Sequence, residues 1–181
     1  MEHYYQNVEG WFEDGSLYNY AVQKYDNAHF VEIGCWKGRS TSCMGVEIIN
    51  SKNNIRFDVV DTFGGSAEHG GVDSEKLFDE FMTNIEPVRS AISTVHKMPS
   101  LQAVELYADN SLDFVFIDAS HDYENVMADI KAWYPKIKFG GTMSGDDYCS
   151  GWQGVMRAVD EYFGVGNIKV YGTQHWAIVK S

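Results

Sequence analysis

Glu32, Asp61, Asp118, Asp146 and Asp147 each stand at or beside the end of a short apolar run, and His121 follows closely on Asp118. Carboxylates so placed can accept hydrogen bonds from ligand hydroxyls, face a cationic group, or hold a hard divalent cation. An imidazole titrates near neutrality and can serve as a general base; His121 can equally fix its own loop by a hydrogen bond. Within "FIDASHDYENV", Asp118 ends the apolar run, a position that serves a ligand, a metal or a helix cap, while Asp122 can cap the helix that follows. In "SGDDY", Asp146 and Asp147 are adjacent. If their strand neighbours the one ending in Asp118, the tips lie about 5 Å apart. Three carboxylates so close repel one another unless a proton or a cation intervenes, and oxygen donors favour Mg²⁺, Ca²⁺ or Mn²⁺ over zinc. The alternative has one aspartate in solvent and the other capping a helix that begins near Gly151.

The turn "VEIGCWKGRSTS" offers a second kind of chemistry. Gly34 and Gly38 allow a sharp bend and a close approach to a ligand, and the start of the next helix offers free N–H groups. A dinucleotide loop needs a glycine where Trp36 stands, and Glu32 disfavours a pyrophosphate, so a nicotinamide-dependent oxidoreductase fits poorly. A ligand with a cationic amino-acid end suits the turn better; an ordinary strand-to-helix turn is the alternative. Asp61 closes the next apolar run, where an acid can take both hydroxyls of a ribose or cap a turn.

Positioning these groups requires strands that end together. Apolar runs at "HFVEIG", "IRFDVVD", "SAISTVH", "LDFVFID" and within "FGGTMSGDD" read as strands. Between them lie helical patterns over about 15–27, "RSTSCMGVEIIN" with Ser40 or Thr41 as its cap, "EKLFDEFMTNI", "PSLQAVELY" opened by Pro99, "YENVMADIKAWY" and "GVMRAVDEYF". "NIKVYGT" and "HWAIVK" close the chain as a hairpin, which makes the last strand antiparallel. This alternation predicts an open, mostly parallel sheet with helices on both faces. Ligands of such sheets bind beyond the carboxyl ends of the strands, where the acids fall. The loop at 62–74, glycine-rich around His69, either closes over that edge or is plain linker.

Bulk properties narrow the function. The 181 residues suit a single domain, 1–181, with residues 1–27 as a helical N-terminal segment. A net charge of −12, from 14 basic against 26 acidic residues, argues against nucleic acid or an anionic membrane as the main partner; it suits a soluble acidic surface and leaves room for a carboxylate cluster that binds a cation. Cys35, Cys43 and Cys149 form no C-x-x-C pair, which speaks against a disulfide framework or a zinc ribbon. The polar, acidic start does not read as a signal peptide, and no apolar run approaches the roughly 20 residues of a membrane span, so a cytoplasmic protein is expected. A homo-oligomer is an open option for completing the substrate wall, since the tryptophans offer interface aromatics.

The motifs "VEIGCWKGRS", "FIDASHDYENVMADIKAW" and "FGGTMSGDDY" together resemble those of the small class I S-adenosylmethionine-dependent methyltransferases, over about Phe30 to Phe163. The resemblance implies a Rossmann-like α/β fold with a doubly wound seven-stranded sheet, order 3-2-1-4-5-7-6, strand 7 antiparallel. It implies cofactor contacts from Glu32, Gly34, Cys35, Trp36, Gly38 and Ser40 at the methionine end, and from Asp61 at the ribose. Lys97, Met98 and Ser100 would lie by the adenine, and Asp118 would face the sulfonium. Related O-methyltransferases of the catechol and macrolide-sugar types hold Mg²⁺ with an aspartate after strand four and an acidic or Asp-Asn pair after strand five. The matching positions are Asp118, Asp146 and Asp147, with Asp147 where the catechol pattern has asparagine. Methyl transfer to a small-molecule hydroxyl follows as the implied function, with Asp118, His121 and Asp147 as catalytic candidates. A non-catalytic cofactor-binding or assembly role is the alternative. The first fifteen residues and the terminal hairpin add little to the resemblance.

Overall fold

The computed structural model describes residues 1–66 and 70–181; His69 of the glycine-rich loop lies outside them. Strands β1 (Ala28–Ile33), β2 (Ile55–Asp61), β3 (Thr94–Lys97), β4 (Leu112–Ile117), β5 (Ile137–Gly145), β6 (Lys169–Tyr171) and β7 (His175–Val179) form one sheet in the order β3-β2-β1-β4-β5-β7-β6. The first five run parallel, while β7 is antiparallel to both β5 and β6. Fold class and strand order are those implied by the motifs.

The central strands β1 and β4 are buried almost throughout, as a parallel sheet covered on both faces demands. Successive side chains therefore enter opposite cores. Phe30 joins the core under α1 (Ser16–Lys24), α2 (Arg39–Ser51) and α3 (Ser74–Ile85), whereas Val31 joins the core under α5 (Tyr123–Trp133) and α6 (Gln153–Phe163). A short helix α4 (Ser100–Ala103) follows β3. β3 begins later than the apolar run "SAISTVH" suggests, because residues 86–91 close into a 3-10 turn around Pro87. Among the described residues no helix is long and apolar enough to cross a membrane.

Two helix starts matter for the site. Asp122 caps α5, its carboxylate accepting the Asn125 N–H at 3.0 Å. Neither Ser40 nor Thr41 caps α2. Gly38, at φ +88°, takes the cap position without a side-chain bond, and Thr41 turns inward to Glu32 instead. α6 begins after Trp152 with no side-chain cap, so Asp146 and Asp147 are not engaged there.

Candidate functional site

A cleft of about 830 Å³ lies beyond the carboxyl ends of β1, β2, β4 and β5. Its floor at β1 is the Gly34–Trp36 turn. Gly34 has φ +84°, and its N–H bonds the Val60 carbonyl at 2.9 Å. Asp61 fastens the rest: one oxygen accepts the N–H groups of Cys35 and Trp36 at 2.6 and 3.0 Å, the other that of Phe63 at 2.7 Å. Trp36 occupies the left-handed region at φ +45° and lies tilted against Trp11, ring centroids 6.1 Å apart. Its conformation is the one a glycine would take most easily, so the turn keeps the shape of a glycine loop while carrying an indole. Burial pushes the Cys35 thiol well above its usual range, so it sits there as a small apolar group.

Glu32 and Gly38 are placed behind this floor. Glu32 is 1% exposed, accepting hydrogen bonds from Tyr18 at 3.0 Å and from Thr41. Burial drives its carboxyl up to about 7, against the pull of the Ser40, Thr41 and Tyr18 hydroxyls. A carboxyl whose pKa rises on folding stabilises the fold below its unfolded value of 4.5, and that contribution is lost as pH rises through about 7. The full swing is on the order of 3 kcal/mol. Glu32→Gln is expected to flatten the stability–pH profile across this window, as urea unfolding at several pH values will measure. An unchanged slope would mean that another group carries it.

On the β2–β3 side, Met98 and Ser100 line the cleft. Lys97 instead reaches Glu75, 2.7 Å away, at the start of α3.

At the opposite wall stand the acids. Asp118, His121 and Asp147 each offer a ligand atom, and these atoms lie within 4.8 Å of one another. His121 Nε2 is 2.8 Å from Asp147 Oδ2, and its ring stacks on Trp152 with centroids 4.0 Å apart. Asp147 holds a left-handed backbone, φ +64°, and also accepts the Gln174 amide at 3.3 Å. Strain of this kind is often kept where it aims a functional side chain. Asp146 lines the same cleft, beside His175. It is 6% exposed, accepts the Asp147 N–H at 2.7 Å, and lies 3.4 Å from His175 Nε2. The structure thus brings Asp118, Asp146 and Asp147 to one cleft, as expected, and adds His121 to Asp118 and Asp147 as the third close ligand atom. Burial, followed by the charges of Asp146 and Asp147, holds the Asp118 carboxyl well above the usual range. Either a proton or a cation relieves this repulsion, and the mixed oxygen and nitrogen donors suit Mn²⁺ better than Mg²⁺ or Ca²⁺.

Residues without any motif complete the walls. Gly10–Asp14 cross the mouth of the cleft, tied down by Arg39, whose guanidinium donates to the Phe12 and Val8 carbonyls at 2.6 and 3.2 Å. Phe12 stacks on the His175 ring at 5.1 Å, so the N-terminal segment and the terminal hairpin meet at the site. Both segments, which add little to the resemblance, thus contribute to the cleft. The aromatic density of residues 4–12 is the one sequence signal that could have located this wall.

A protein-family model described as a methyltransferase domain matches residues 31–148. Among curated proteins, an uncharacterized protein of Sinorhizobium fredii is 26% identical over 136 residues, covering 75% of this chain and 15% of that protein. One of Acanthamoeba polyphaga mimivirus is 28% identical over 123 residues, covering 68% and 52%. The chain thus spans about half or less of the length of these relatives. Among solved structures, the O-methyltransferase NovP superposes with TM-score 0.69 at 19% identity, over 91% of this chain and 78% of that one. The O-methyltransferase from Bacillus cereus in complex with SAH gives 0.64 at 20%, over 97% and 86%. At these identities the likeness is one of fold.

Proposed function

The chain belongs to this methyltransferase-domain family, and on that premise we propose that it transfers the methyl group of S-adenosylmethionine to a hydroxyl of a small molecule. One observation carries the reading: a single cleft holds the Gly34–Trp36 turn, Asp61 and Ser100 on one side and the Asp118–His121–Asp147 cluster on the other. The first group fits a nucleoside bearing a charged amino-acid end. Asp61 already accepts three backbone N–H bonds. A carboxylate has roughly four acceptor sites, which leaves room for about one ribose hydroxyl.

S-adenosylmethionine supplies an electrophilic methyl on a sulfonium, so the protein's main task is alignment. Asp118 stands at the tip of β4 between the two halves of the cleft and faces the positive centre. The His121–Asp147 pair takes the proton of the acceptor hydroxyl. Trp11, Trp36 and Trp152 supply an aromatic surround for the acceptor. The relatives' names add support, since NovP and the Bacillus cereus protein are both called O-methyltransferases.

A divalent cation held by Asp118, His121 and Asp147 would lower the pKa of a bound hydroxyl. As a metal ligand, His121 could not also be the base, and chelation separates the two roles. Turnover lost in EDTA and restored by Mn²⁺ more fully than by Mg²⁺ assigns the three residues to a cation; turnover indifferent to EDTA leaves His121 and Asp147 as the base. The cofactor itself is tested by calorimetric titration with S-adenosylhomocysteine. Saturable binding is expected, and its absence in folded protein overturns the proposal.

A further inference from the structure

The lysines of this acidic chain are unevenly partnered. Lys37, Lys97, Lys136 and Lys138 each lie within 3.1 Å of a carboxylate. At the β5-β7-β6 end of the sheet, Lys24 and Lys180 donate instead to backbone carbonyls, of Gly140 at 3.1 Å and Ile137 at 2.8 Å. Aromatic rings take the place of acids there. Lys24 and Lys169 lie over Tyr20 at 5.7 and 5.5 Å, Lys169 also over Tyr171 at 4.4 Å, and Lys180 over Tyr134 at 5.2 Å. On a chain of net charge −12 this end is a locally positive surface.

The same end carries an open strand edge. β6 is the outermost strand and pairs only His175–Ala177 of β7, whereas β5 follows β7 as far as Val179. Continuing the β6 register would set Asn167 opposite Val179. Asn167 turns back to α6 instead: its N–H bonds the Gly164 carbonyl at 3.2 Å and its amide the Phe163 carbonyl at 2.8 Å. Lys180 directs both backbone groups to β5, its N–H to Gly141 at 2.9 Å and its carbonyl to the Gly140 N–H at 2.8 Å. Backbone groups alternate sides along a strand, so those of Val179 point to the uncovered side. A groove of about 600 Å³ runs along it, with Tyr20 and Tyr171 on one face of the sheet and Tyr134 and Tyr162 on the other.

We propose that this groove takes an extended acidic peptide segment, paired to the Val179 backbone beyond the end of β6. The backbone pairing sets the register, the tyrosines on both faces take alternate side chains, and the lysines select glutamate or aspartate. A second copy of the chain fits less well, because a two-fold edge-to-edge contact sets the same lysines against each other. The inference is independent of the reaction proposed for the cleft.

Hydrogen exchange by NMR will follow the Val179 amide as a short peptide alternating glutamate and valine is titrated in. Saturation is expected to slow that exchange by about tenfold or more. By fluorescence anisotropy, the same peptide with lysine for glutamate is expected to bind about tenfold more weakly. Lys169→Glu, at an exposed position, is expected to weaken the glutamate peptide about threefold or more. If Lys169 only guards the edge against pairing, that variant binds as well as the wild type or better, which overturns the inference. So does a Val179 amide that exchanges unchanged at saturation, equal affinity for the two peptides, or no binding of either. Protection of Val179 that grows with protein concentration alone assigns the edge to a second copy and overturns it too.

Discussion

Asp118→Asn is expected to slow methyl transfer by on the order of a thousandfold while leaving the protein at least as stable as before. The two effects have separate origins. Asp118 sits at the β4 tip, where the turn after β1 meets the acids after β5, and it belongs to the one cluster able to hold a cation among the described residues. Asparagine keeps the size of the side chain and most of its hydrogen bonding. It removes the negative charge that, in the proposed reaction, faces the sulfonium or holds a cation. Stability should move the other way. Burial and the neighbouring Asp146 and Asp147 charges both oppose ionisation of Asp118, so its charge strains the folded state instead of supporting it. Relieving like-charge repulsion raises the unfolding midpoint slightly or leaves it alone. Single-turnover kinetics with a bound acceptor, beside thermal unfolding, will show both effects. Activity within about tenfold of wild type would remove Asp118 from the reaction. A matching loss of stability would recast it as a structural acid.

The same cluster shows why the site was only partly legible from sequence. Asp118, His121 and Asp147 announce themselves because each follows an apolar strand, and strand ends in this topology converge. Asp146 has the same local signature as Asp147 and lines the same cleft, yet its carboxylate lies beside His175 while that of Asp147 meets His121. One residue of shift along an extended chain reverses the direction of a side chain, and nothing in "GDD" says which aspartate takes the left-handed turn. Glu32 is held by partners the motif does not show. It reads as a ligand acid, but the neighbouring Tyr18 and Thr41, one from α1 and one from α2, draw it into the core. Such a partner from a distant helix leaves no mark beside the motif. The strand order was readable because it depends on alternation over long stretches, where many weak signals agree. The wall formed by Gly10–Asp14 was not, because it depends on Arg39 catching two carbonyls some thirty residues upstream, as the separations of 27 and 31 positions show.

Gly34→Ala is expected to destabilise the fold by on the order of 3 kcal/mol or more, the largest cost of any alanine placed at a motif glycine. In a nucleotide-type loop the glycine would be needed so that a ligand can come close. In this chain the approaching group is the protein itself. A Cβ at Gly34 would lie 1.9 Å from the Asp118 carbonyl oxygen and 2.8 Å from Ala119 Cα. Those are backbone atoms held by the sheet: Asp118 N–H bonds the Ile33 carbonyl at 2.7 Å and Gly34 N–H bonds Val60 at 2.9 Å. Neither strand tip can yield without losing a ladder bond, and φ +84° adds strain for any residue with a side chain. Gly38→Ala meets a softer obstacle. Its nearest atom is the Ile85 side-chain methyl at 2.9 Å, which can rotate away, so a cost of about 1–2 kcal/mol is expected. Gly140→Ala has the same sign of φ with open space around it and isolates the backbone strain, about 1 kcal/mol. Denaturant unfolding of the three variants should therefore rank Gly34 far above Gly38, and Gly38 above Gly140. A Gly34→Ala protein no weaker than Gly140→Ala would mean that the β1 and β4 tips are free to part, and the cluster built on their contact would lose its anchor. If the ranking holds, the closeness of the two tips is what sets Asp118 opposite the Gly34–Trp36 turn, and the glycine serves the reaction by shaping the protein and not by admitting the ligand.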